Sequence, residues 1–108
     1  MNAVIERRSG LIPVSDRQEP EWTQDEAIAY ECAREAINDL IGIKIGLVRK
    51  ETDTENPDEE LVAKLEEEIT RLSRERTRLR LKDHANITRI RSEYGAIIRA
   101  HYYGNESS

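Results

Sequence analysis

The chain is 108 residues long, with 37% hydrophobic and 36% charged residues, one Trp, four Tyr and no Phe. That size sets one domain with a small core, and the balance suits an elongated helical assembly rather than a large globular enzyme. The net charge of −5 excludes a chain that is basic as a whole and so built throughout to hold nucleic acid.

Residues 1–21 read as a flexible N-terminal arm. They hold Gly10, Pro13 and Pro20 among mixed charges, with Leu11, Ile12 and Val14 as a short apolar cluster. Pro13 keeps that cluster out of a central strand. In an extended form it could lie in a helical groove.

A first helix begins at Thr23. Thr23-Gln24-Asp25-Glu26 has the spacing of a capping box, and Trp22 stands where a staple residue packs. Ile28, Tyr30, Ala33, Ile37, Leu40, Ile41, Leu47 and Val48 give a broad apolar face, widened by Cys32, which is expected to be buried as a small hydrophobe. Residues 41–48 alternate like a strand, but the cap and the period before them predict a helix running to about Lys50. Gly42 and Gly46 fall four apart on one face, which reads either as a close helix crossing or as a weakened, flexible helix end. Glu51 to Glu55 is a polar loop, short enough to fold the next helix back antiparallel.

The second helix is the organising one. Asn56 is the expected N-cap, Pro57 the first helical residue, and Asp58 and Glu59 suit the positive end of the macrodipole. Val62, Leu65, Ile69, Leu72 and Leu79 form a narrow stripe of coiled-coil width, interrupted at Arg76. The period resumes at Ile87, Ile90, Tyr94 and Ile97. The eleven-residue step from Arg76 to Ile87 predicts a stutter in one continuous helix, with a break near 82–86 as the other reading. Charge is segregated: Asp58 to Glu68 has six acidic residues and one Lys, Arg71 to Lys82 six basic residues and one Glu. Two such helices laid antiparallel about Thr70 would match opposite signs. Gly104 is the expected stop, and residues 105–108 a frayed tail.

Chemistry finds few candidates. His84 and His101 are the only histidines, and no His-x-x-x-His, Cys-x-x-Cys or Glu-x-x-His spacing is present. No metal site, cofactor or small-molecule substrate is expected. Asp83-His84 lacks the further spaced ligands a metal site needs, and Glu66, Glu67 and Glu68 read as a solvated acidic face. Arg71, Arg74, Arg78 and Lys82 are the candidate contacts for phosphate or an acidic partner. A single cysteine rules out an internal disulfide and fits a reducing compartment. No run is long and apolar enough for a membrane, and the first residues lack a signal-peptide core, so a cytoplasmic location is expected.

The sequence therefore predicts an all-α chain: an antiparallel helical hairpin with coiled-coil character over residues 22–104 and a C-terminal helical extension, paired as a dimeric bundle. The expected function is a non-enzymatic interaction module, an adaptor, regulator or inhibitor. Val62, Leu65, Ile69, Leu72, Leu79, Ile87, Ile90, Tyr94 and Ile97 are expected to carry self-association. The alternative is a nucleic-acid-associated regulator using Arg71 to Lys82.

Overall fold

A computed structural model describes residues 22–104, so the arm at 1–21 and the tail at 105–108 lie outside the described residues. Three helices follow one another: α1 Gln24–Thr52, α2 Glu59–Arg78 and α3 His84–Tyr103. The described residues are all-α, with no strand among them.

The start of α1 is the capping box expected of its sequence. The Glu26 N–H donates to the Thr23 hydroxyl at 3.0 Å, and the Thr23 N–H donates to Glu26 Oε1 at 2.9 Å. The helix runs unbroken through Gly42 and Gly46 to Thr52, so helical context overrides the strand-like alternation of residues 41–48.

The start of α2 differs from expectation. Asp58, not Asn56, is the N-cap, and its carboxylate accepts from the Leu61 N–H at 3.1 Å. Pro57 thus precedes the cap. The Asp58 N–H donates to Glu51 Oε2 at 2.9 Å, so a side chain at the end of α1 fixes where α2 begins.

The end of α2 is a larger correction. The helix stops at Arg78, Leu79 turns extended, and α3 starts anew at His84. The eleven-residue step is a break, not a stutter. No Gly or Pro is needed, because Asp83 Oδ2 accepts from the Arg80 N–H at 3.1 Å and closes the turn. The extended backbone at Leu79 also lets its side chain stay buried.

Helix α1 is central and packs against both α2 and α3. No pair of Cα atoms joins α2 to α3 within 8 Å. Lys44 pairs with Glu68 and Arg76 donates to Asn38, so residue numbers rise along α2 as they fall along α1. Beyond the end of α2, Lys82 and His84 reach Glu26 near the start of α1. The core joins Ala33, Ile37, Leu40 and Ile41 of α1 with Leu72 of α2, Leu79 of the turn, and Ile87, Ile90 and Tyr94 of α3. Ile37, Leu72 and Ile90 are fully enclosed, each contributing about 1.5–3 kcal/mol by burial. Packing thins along the second half of α1, where Ile45 and Leu47 are 43% and 39% exposed.

Candidate interaction surface

The apolar stripe of α2 is used within the chain. Leu65, Leu72 and Leu79 are buried, and so are Ile87, Ile90 and Tyr94 of α3. A second copy cannot reach these six without opening the fold. Of the nine residues expected to carry self-association, Val62 and Ile69 remain half-buried and Ile97 exposed. The seam is narrow because it fills one groove on α1, which a coiled-coil partner would fill equally well.

Gly42 and Gly46 make no close crossing among the described residues. A Cβ added at either would meet nothing within 4 Å. Cys32 is exposed rather than buried, because it lies one residue, and so about 100° of helix, from the buried Ala33.

Polar side chains at the helix junctions are paired. Glu75 reaches from α2 to α3, accepting from Arg89 Nη2 and from the Tyr94 hydroxyl, each at 2.6 Å. Lys44 donates to Glu68 at 2.8 Å and holds that carboxylate below its usual range. Glu26 is the busiest. Besides its cap bond it accepts from Lys82 at 3.0 Å and lies 2.6 Å from His84 Nε2. The bond from the Thr23 N–H, then the one from Lys82, lowers its pKa to about 2. A carboxylate depressed on folding contributes stability above its unfolded value, lost as pH falls through the folded one. Acid titration followed by helicity should therefore show this contribution fading between pH 4.5 and about 2, and the fading should be missing in Glu26→Gln.

The outer face of α2 is different. Glu59, Glu60, Glu66 and Glu67 are exposed on its first half, and Arg71, Arg74 and Arg78 on its second. Among the described residues none of the seven makes an ion pair or side-chain hydrogen bond, although Arg71 is close enough to Glu68 to help lower the pKa of that carboxylate. Of the four basic residues proposed from sequence, Arg71, Arg74 and Arg78 make no ion pair among the described residues, while Lys82 is held by Glu26. Arg76 and Arg89, on the same or the next helix, are paired.

Sequence reading missed Glu26 and Glu75 as junction residues. Their partners lie 56, 58, 14 and 19 residues away, and no local pattern encodes such distances. It also missed Ile45 as surface. Ile45, Val48, Glu66, Ile69 and Thr70 line a shallow groove between α1 and α2.

Among the described residues, no group of three His, Cys, Asp or Glu could hold a metal ion, and no charged side chain is buried. No helix among them is long and apolar enough to cross a membrane. No protein-family model matches the chain, and no curated protein or solved structure matches it either.

Proposed function

We propose that the protein is a non-enzymatic interaction module that works as a helical homodimer in the cytoplasm. Its α1–α2 pair acts as an antiparallel hairpin, with the outer side of α2 turned to a partner as an adaptor, regulator or inhibitor would turn it. One observation carries this reading. The junction charges Glu26, Lys44, Glu68, Glu75 and Arg89 are paired within the chain, yet eight exposed charges of α2 make no ion pair among the described residues, and all but Lys64 are sorted by sign. A face sorted in this way complements an antiparallel copy of itself and opposes a parallel one. Each exposed pair contributes only ~0.2–1 kcal/mol, so charge sets orientation more than strength.

Co-expression of a tagged and an untagged copy tests the reading. The untagged chain should elute with the tagged one after a high-salt wash. Its absence from the eluate, with both copies soluble, would contradict the homodimer.

The second reading is a nucleic-acid-associated regulator, favoured by the three exposed arginines Arg71, Arg74 and Arg78 on one side of α2. It predicts binding to duplex or single strands that falls steeply with salt and is lost in Arg74→Glu with Arg78→Glu. The acidic residues one and two turns earlier on the same helix oppose it by repelling phosphate.

A further inference from the structure

We propose that a second copy lays its α2 antiparallel across the shallow groove between α1 and α2, with the two-fold axis passing by Thr70. The inference rests on the homodimer reading and adds the surface and the register.

The groove has an apolar floor and a charged rim. Ile45 is 43% exposed, and Val48 and Ile69 are half-buried beside it. The groove continues along α2 past Ser73, Arg74 and Thr77. No α3 residue lines either stretch among the described residues, so the third helix leaves this flank of the α1–α2 pair open. Apolar side chains half-covered by one helix on each side gain further burial when another helix fills the groove.

The rim sets the register. Glu66 lies four residues before Thr70 and Arg74 four after, and both are exposed and make no ion pair among the described residues. In an antiparallel pair centred on Thr70, Glu66 of each copy comes opposite Arg74 of the other. The two-fold makes both pairs from one complementary arrangement. Farther out Lys64 of each copy comes opposite Arg76 of the other, so the Glu66 and Arg74 contacts at the centre carry the register.

Close approach is provided for at the centre. Thr70 is short and already donates its hydroxyl to Glu66 O at 3.1 Å on its own helix, and Thr77, two turns farther along the groove, does the same to Ser73 O at 3.0 Å. Covering them therefore leaves no hydroxyl donor without an acceptor. Their polar ends make the groove tolerant of water in the free chain and of a neighbouring helix in the pair. Orientation comes from charge, and affinity from the covered Ile45, Val48 and Ile69.

The test uses the full chain with Cys32→Ser, which removes the one native thiol. Adding Thr70→Cys should give a disulfide-linked dimer under mild oxidation, and Ser92→Cys on exposed α3 should give none. Separately, Glu66→Arg alone and Arg74→Glu alone should each weaken the dimer about tenfold, near 1.4 kcal/mol, because each turns two opposite-charge contacts into like-charge ones. The double reversal should restore affinity to within about threefold of the wild type, since opposite signs face each other again. A wild-type dimer with no Thr70→Cys crosslink and indifference to both reversals would overturn this register while leaving self-association standing. A monomeric wild type would overturn the homodimer reading itself.

Discussion

Replacing Leu72 with alanine lowers the unfolding free energy by about 2–5 kcal/mol, because the side chain is fully enclosed and the space it leaves cannot collapse completely. Urea unfolding followed by helicity reads the loss as a lower midpoint with an unchanged slope. Leu61, on the same helix, is 40% exposed, and its alanine variant should lose less than about 1 kcal/mol. The contrast separates two roles for the α2 stripe. The sequence alone nominates Leu72 for a coiled-coil partner, where truncation would dissociate a dimer and leave the protomer folded. In the structure Leu72 joins the core shared with Ile37 and Ile90, so truncation weakens the protomer. A Leu72→Ala chain with unchanged urea stability and lost self-association would contradict this packing. A charge at Leu65 or Leu72 cannot test dimerisation cleanly, because both residues are buried within one chain.

Gly42→Ala combined with Gly46→Ala should stabilise the chain by about 2 kcal/mol, since each glycine in a helix interior is roughly 0.8–1.0 kcal/mol less favourable than alanine. Both sit within α1, and a Cβ at either position meets open space. Thermal unfolding should shift upward while the dimer constant stays the same, because the groove proposed for the second copy is lined by Ile45 and Val48 rather than the glycines. If the doubly substituted chain lost self-association, the glycines would be a close crossing after all and the proposed groove would be misplaced.

Local signals were legible in the sequence, and distant ones were not. Thr23 and Glu26 encode the start of α1 because both partners of the cap lie within one turn. The apolar period of α2 reported a buried stripe correctly, since Leu65 and Leu72 are buried. The period could not say whether α1 or another chain covers it, because helix grooves look alike from one side. The break after Arg78 was legible only as the second reading, and a few residues late, for a related reason. It is made by Asp83 bonding back to Arg80, and Asp also occurs within charged helices. The N-cap was displaced by Glu51, which anchors the Asp58 N–H from seven residues away. At the candidate surface, sequence supplied the sorted charges and Ile69. The groove that joins Ile69 to Ile45 needs the α1–α2 register, which hangs on the cross-helix contacts Lys44–Glu68 and Arg76–Asn38.

Sedimentation equilibrium of the intact chain, at low and at high salt, tests self-association most directly. A mass twice the 12.5 kDa of the chain is predicted at both salts, with modestly weaker affinity at high salt as the Glu66 and Arg74 contacts are screened. A mass of 12.5 kDa across the micromolar range at either salt would contradict the homodimer and leave the sorted face of α2 to a different partner.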